Sequence, residues 1–299
     1  MFFLYFCKKK MISLIICSRN PDISVALKQN IENTIGTGYE LIVVDNSHTK
    51  YSIFSAYNLG TQKARGEFLC FMHEDILYHT NNWGNAVCSY FDKYCEVGMI
   101  GVAGTHFLPN MPAAWWDTEI RSGQLLQGYT NNDEYKINRE VWSEYKKDPT
   151  VVASVDGLWM CFRRELFSSI KWDDMNFKGF HGYDTDISLQ VWNSGFEVHI
   201  FWGVLIEHIS CGAASSEFYK TLNILYGKWK DQLPIIKGVE LSESEQSARC
   251  RIAELRHEVH ILNCKLSDIC KSRAYRRSLY FQNPVLLLRS LLIHLKRIP

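Results

Sequence analysis

The chain has 299 residues, 46% hydrophobic and 22% charged, the balance of a globular protein with room for one large α/β domain and an appendage. A net charge of +1 provides no global field to recruit nucleic acid, so any basic function is local. Ten cysteines without a single C-x-x-C pair argue against zinc ribbons and thioredoxin-like sites, and read as buried, reduced thiols of a cytosolic protein.

The opening MFFLYFCKKK places a short apolar run before three lysines. That is the reverse of a signal peptide and far short of the about 20 apolar residues a spanning helix needs. These ten residues read either as an upstream start before Met11 or as a small surface anchor. Residues 12–17, ISLIIC, form an apolar run closed by SRNP, a buried strand stopped by a turn. Ile23, Leu27, Ile31 and Ile35 then share one helical stripe over 22–35, with Gly36 and Gly38 ending it. A strand over 39–44, a helix over 52–64, a third strand EFLCFM, a helix over 82–95 and a fourth strand VGMIGVAG complete the first half. Strands alternating with helices predict a mostly parallel, Rossmann-like sheet flanked by helices, with ligand outside the carboxyl ends of the strands.

Residues 105–150 show few periodic runs and carry Pro109, Pro112, Trp115 and Trp116. They read as a long functional insertion over the sheet edge. Regular structure is expected again over 151–163, in a helix over 184–194, in the strand FEVHIF and in a strand over 204–209. Beyond about 240, Ile252, Leu255, Val259, Leu262, Leu266 and Ile269 recur at three-four spacing, a heptad seam of about three repeats. The organisation expected is a catalytic domain over 11–237, a heptad-patterned helix over 238–272 and a basic amphipathic tail over 273–299. The seam suits either a homodimer or packing on its own domain. The tail interleaves Arg273, Arg276, Arg277, Arg289, Lys296 and Arg297 with leucines. It suits either the surface of an anionic membrane or a docked helix.

Four places carry polar groups where a parallel sheet would present them to ligand. Asp45 ends the second strand, as a base or ribose contact or as a turn-forming Asp. His73, Glu74 and Asp75 follow the third strand, where a carboxylate can hold a divalent cation against a departing diphosphate, or simply mark a charged junction. Asp184 and Asp186 begin a helix, where capping and the helix dipole already favour carboxylates; the functional reading makes one of them a general base. His208 lies near the end of a late strand, in LIEHIS.

The order of these segments is more specific than any one of them. SLIICSRN, LIVVDNS, AYNLGTQKARGEFLCFMHED, VDGLWMCFRRELF, GYDTDISLQVWNSGFEV and EHIS follow one another as in the family-2 glycosyltransferases of GT-A fold, and the chain resembles that family over about 11–210. The run Asn58, Gly60, Ala64, Gly66, Glu67 carries much of the likeness. The resemblance implies a catalytic base at Asp184. It implies a cation, Mn2+ or Mg2+, held by Asp75 with His73 and His208. The donor nucleotide is expected on Ser18, Asn20, Asp45, Asn58, Lys63 and Glu74, and the acceptor on Trp115, Trp116, Asp156 and Trp159. Two departures stand out. His73 replaces the first acid of the D-x-D motif, which looks like a bacterial H-x-D subgroup and shifts the metal preference toward manganese. Tyr183 stands where the family usually has Glu.

The function so implied is inverting sugar transfer from a nucleotide-diphosphate sugar to a glycan or lipid-linked glycan, in bacterial surface polysaccharide synthesis. The enzyme would be cytoplasmic, or peripheral on the inner face of the membrane. A nucleotidyltransferase would show a glycine-rich phosphate loop near the N-terminus, where this chain has SRNPD. A non-catalytic scaffold assembled through the heptad helix is the alternative from another class.

Overall fold

The computed structural model describes residues 10–131, 133–142, 149–210 and 215–273, together with 275 and 277. The chain opens with β1 (Met11–Ser18), α1 (Val25–Thr34), β2 (Gly38–Asp45), α2 (Ile53–Lys63) and β3 (Phe68–Met72). Both helices start on a serine: Ser24 Oγ accepts from Leu27 N–H and Ser52 Oγ from Ser55 N–H, satisfying donors the first turn leaves open. Next come β4 (Ile76–Tyr78), α3 (Trp83–Lys93), β5 (Val97–Gly101), β6 (Ala103–Thr105) and β7 (Phe107–Leu108). The middle holds β8 (Arg121–Asn131), β9 (Glu134–Trp142), β10 (Thr150–Val151), β11 (Ser154–Val155) and β12 (Trp159–Arg163). The remainder is α4 (Tyr183–Asn193), β13 (Glu197–Ile200), β14 (Ile206–His208), α5 (Ser216–Trp229), β15 (Ile235–Ile236) and α6 (Glu243–Lys271).

Among the described residues the main sheet has seven strands in the order β10-β13-β5-β12-β3-β1-β2. β1 pairs in parallel with β2 and β3, and β13 with β5, so the α/β class and the flanking helices are as the sequence indicates. Successive residues of β1 feed opposite faces, as a period of two requires: Ile12, Leu14 and Ile16 join the core with α1 and α3, while Ile15 joins the core with α2 and α4.

Four features differ from the sequence reading. β12 runs antiparallel to both neighbours, with Trp159 opposite Met72 and Arg163 opposite Phe68. Its apolar residues look the same in either direction, because both faces are buried. The run VGMIGVAG is two strands, not one: β5 stays in the main sheet while β6 enters a second sheet, β11-β6-β8-β14-β4, with β9 paired to β8. The segment 105–150, expected as a long insertion with few periodic runs, contains regular structure: β8 and β9 form a long antiparallel hairpin from Gly123↔Trp142 to Asn131↔Glu134. β9 is exposed along most of its length: Tyr135, Ile137 and Val141 alternate with polar residues but remain 42–48% exposed, so the strand lacks a buried face. The helix α5 was also unforeseen.

The chain divides into two compact units, Met1–Glu254 and Leu255–Pro299. The heptad pattern is helical, as α6, within which the division falls. Most of the basic tail, from 278 onward, lies outside the described residues. Among the described residues no helix is long and apolar enough to cross a membrane.

Candidate active site

A cavity of about 810 Å³ opens at the carboxyl ends of β1 and β3 and is lined by His73, Glu74, Asp75, Asp156, Tyr183, Asp184 and His208 among others. The two sheets together assemble its polar floor. His73–Asp75 follow β3 directly. The antiparallel β12 begins beside the end of β3, and His73 N–H donates to Leu158 O at 3.0 Å, so the approach to β12 delivers Asp156 and Gly157 there. β14 pairs antiparallel with β4, setting His208 opposite Ile76, and Ile209 N–H donates to Asp75 O at 2.9 Å. Residues 73, 75 and 208, far apart in sequence, thus become neighbours through one strand pair.

His73 Nδ1 lies 3.7 Å from Asp75 Oδ1, and His208 Nε2 3.5 Å from Asp75 Oδ2. The three side chains offer two imidazole nitrogens and a carboxylate oxygen, all within 4.8 Å of one another. Burial lowers the His73 pKa, against the pull of Asp75, and so favours the neutral imidazole a metal needs. Asp75 is held ionised well below the usual carboxylate range: burial opposes this, but hydrogen bonds from His208 and Ser210, with the electrostatic pull of the neighbouring imidazoles, outweigh it. This donor set fits a divalent cation, and its nitrogens suit manganese better than magnesium.

Asp184 stands in the first turn of α4, after Gly182, whose φ of 73° lies in the left-handed region. Its Oδ1 accepts from Thr185 N–H at 2.8 Å. Desolvation first, and then the charge of Asp156, raise its pKa to about 7, against backbone hydrogen bonds that lower it. Tyr183 links this carboxylate's helix to the histidine end: its hydroxyl is 2.9 Å from His73 Nε2. A Cβ on Gly157 would come within 2.3 Å of that hydroxyl, so glycine is what lets the ring in.

The two early aspartates of α4 part company. Asp186 is buried, turned away from the cavity, and bonded to Lys228 (2.6 Å), Trp229 Nε1 (2.8 Å) and Gln190 (2.8 Å). Lys228 also pairs with Asp173 at 2.7 Å, tying α5 to α4 and to the loop before it. With Lys228 a quarter exposed, Lys228→Met is expected to cost about 2–4 kcal/mol, since Asp186 would lose its counter-charge while staying buried. Urea denaturation measures this, and a cost below about 1 kcal/mol would show that the ion pairs do not hold α4 in place.

The expected donor residues divide. Glu74 lines the cavity, and Ser18 Oγ is bonded to it and accepts from Asn20 N–H at 2.9 Å. Asp45 is exposed at the end of β2, in register with Ser18, its Oδ1 accepting from Ser47 N–H. Asn58 and Lys63 do not line the cavity. Asn58 Nδ2 donates to Trp172 O at 2.8 Å, fastening α2 to the following layer. Lys63 ends α2 beside Gly66, whose N–H bonds Ser13 near the start of β1, so it lies at the wrong end of the sheet.

Of the expected acceptor residues, Trp159 is overturned. It is fully buried, donates to Tyr78 OH at 3.1 Å and stacks on Phe201, leaving no face for a ligand. Trp115 and Trp116 do line the cavity, joined by Trp142, Phe218, Arg121 and Glu140, which sequence reasoning missed. Trp116 stacks on Phe218 at 5.4 Å, and the Arg121 guanidinium lies 5.5 Å from the Trp142 ring centre. The Trp115 indole N–H is buried with no partner among the described residues. The hairpin pairing sets Trp142 opposite Gly123, and the pairing of β8 with β6 sets Arg121 opposite Thr105, so contacts between distant segments bring both to this wall. Asp156 lies at the carboxylate end, beside Asp184, rather than on the aromatic wall.

Residues 13–220 match the sequence model of a family described as glycosyltransferase-like. No curated protein sequence matches the chain. Similar solved structures include GalNAc-T7 with UDP, GalNAc and Mn2+, at 13% identity and a TM-score of 0.49, covering 84% of this chain and 55% of that one. TarS 1–349 of S. aureus matches at 13% identity and 0.46, covering 83% and 71%, and A197 from STIV at 12% and 0.37, covering 78% and 97%. The chain thus spans about half the length of the GalNAc-T7 chain.

Proposed function

The chain belongs to the glycosyltransferase-like family and is an enzyme of that class, and from that premise we propose that it moves a sugar from a nucleotide-diphosphate sugar to an acceptor hydroxyl by one displacement, with inversion. The observation that carries this reading is a single cavity in which Asp184, a carboxylate raised to about 7, shares the floor with the triad His73, Asp75 and His208.

A carboxylate with that pKa is half-ionised near neutral pH and matched to general-base work. In the proposed step the acceptor oxygen attacks the anomeric carbon while its proton passes to Asp184. The bond from that carbon to the diphosphate breaks on the opposite face, and its electron pair leaves with the diphosphate. A cation bound by His73, Asp75 and His208 would stabilise that departing charge as a Lewis acid. Arg19 and Glu74, which both line the cavity, are assigned to the donor, and Asp45 with Asn20 to its nucleotide. Tyr183 holds His73 through its hydroxyl and so positions one ligand of the triad. The H-x-D arrangement is read as functional, because His73 presents its other ring nitrogen toward Asp75.

The acceptor is assigned to the aromatic wall, where Trp116 and Trp142 can cover the apolar face of a sugar ring and the free indole N–H of Trp115 can donate to a hydroxyl. A surface glycan, free or lipid-linked, suits such a wall, and the basic tail over 273–299 is proposed to meet an anionic membrane surface. Trp116→Ala is expected to raise the acceptor KM about tenfold while the donor KM stays unchanged. Equal effects on both, or none on the acceptor, would remove Trp116 from this role. A thermal-shift panel of nucleoside diphosphates with and without manganese tests the donor assignment, since a ligand that binds the folded state raises its apparent stability.

A further inference from the structure

The heptad seam of α6 is open along its length. Leu255, Val259, Leu262, Leu266 and Ile269 are between 43% and 62% exposed, an unbroken apolar stripe on a 29-residue helix. With Ile252, Val259 and Leu266 at a and Leu255, Leu262 and Ile269 at d, the flanking g positions are Arg251, Glu258 and Lys265, and the e positions Arg256, Asn263 and Cys270. These flanks discriminate between the two ways in which a second copy can lie on the stripe.

In a parallel, in-register pair, each g residue meets the e residue five positions on in the other chain. Arg251 would then face Arg256 twice, Glu258 would face Asn263, and Lys265 would face Cys270. That gives two repulsive contacts and no attractive one. In an antiparallel pair, a layers face d layers: Ile252 meets Ile269, Leu255 meets Leu266, and Val259 meets Leu262. All six seam residues are then used. The g positions now face each other, setting Glu258 against Lys265 twice, while the e positions set Arg256 against Asn263. The arginine clash is gone and two opposite-charge contacts replace it.

We propose that α6 pairs antiparallel with α6 of a second copy of this chain, making the enzyme a homodimer through this seam. The charge pattern selects both the partner and the orientation. The pairing does not depend on the sugar-transfer reading, and neither result bears on the other.

Sedimentation equilibrium of the full chain tests it, with thermal unfolding as the check that each variant folds. The wild type is expected as a dimer at micromolar concentration, and Leu262→Asp as a monomer. Glu258→Lys turns two attractive contacts into repulsive ones and is expected to weaken the dimer about tenfold. Lys265→Glu is expected to do the same, and Glu258→Lys with Lys265→Glu together to restore wild-type affinity. Arg251→Glu is expected to leave the dimer nearly unchanged. A wild-type monomer at all concentrations would overturn the proposal, as would a double charge reversal that weakens the dimer further. Marked tightening by Arg251→Glu would also overturn it, because only a parallel pair relieves an Arg251–Arg256 clash. Dissociation by Leu262→Asp without any response to the charge reversals would likewise place another partner or another surface at the seam.

Discussion

Asp184→Asn is expected to reduce transfer about 10²–10⁴-fold, the usual range for losing a positioned general base, while donor affinity stays within about twofold. The amide keeps the size of the side chain and its acceptance from Thr185 N–H, but takes no proton at working pH. The pH dependence carries the same claim. Asp184 is raised to about 7, and only its ionised form accepts a proton, so kcat/KM should climb with pH up to about 7 and then level off. Below that pH the group is protonated and idle. Asp156 contributes to the raised value by charge repulsion, so Asp156→Asn should move the limb to lower pH. Manganese in the neighbouring triad should move it the same way, because a cation favours the carboxylate. A pH profile of Asp184→Asn that keeps the wild-type limb would show that another group is the base.

Asp75→Ala is the second substitution expected to have a large effect. The carboxylate is the anionic centre of the triad, lying within 4 Å of both imidazoles. Without it, only two imidazole nitrogens remain, a poor site for a hard divalent cation. Manganese affinity should fall by two orders of magnitude or more, and donor affinity and turnover should fall together, as expected when a group acts on both bound donor and departing diphosphate. Isothermal titration with manganese alone reads the first effect without any assumption about substrate. Unchanged manganese binding would dissociate Asp75 from the metal. Full activity in excess chelator would dissociate the metal from the chemistry, leaving His73 and His208 as direct hydrogen-bond donors to the diphosphate.

The first half of the fold was legible because strands such as β1 and β3 are buried on both faces and its helices on one. An apolar run such as ISLIIC and a stripe such as Ile23, Leu27, Ile31 allow few other readings. The polar floor was legible for the same reason: residues that follow a buried strand directly, as His73–Asp75 do, stand at its carboxyl end whatever the rest of the chain does. What could not be read was set by pairing between distant segments. The direction of β12 leaves no trace in its composition, yet it decides that Asp156 joins Asp184. The hairpin of β8 and β9 has an exposed second strand, yet it supplies Trp142 and Arg121 to the cavity. Trp159 shows the converse error. It was expected at the acceptor, but a turn at 157–158 separates it from Asp156: Asp156, before the turn, lines the cavity, while Trp159 opens β12 with its ring in the core.

Single displacement with a carboxylate base makes one commitment that no binding experiment can meet: the sugar must change its anomeric configuration. Proton NMR of the purified chain with manganese and a panel of nucleotide-diphosphate sugars reads this directly, through the anomeric coupling of the first product formed, before mutarotation, with water serving as a slow acceptor. Release of the nucleoside diphosphate with the sugar appearing first as the opposite anomer is the predicted result, suppressed in Asp184→Asn. A sugar that appears first with its configuration retained, at a rate that Asp184→Asn leaves untouched, would contradict it.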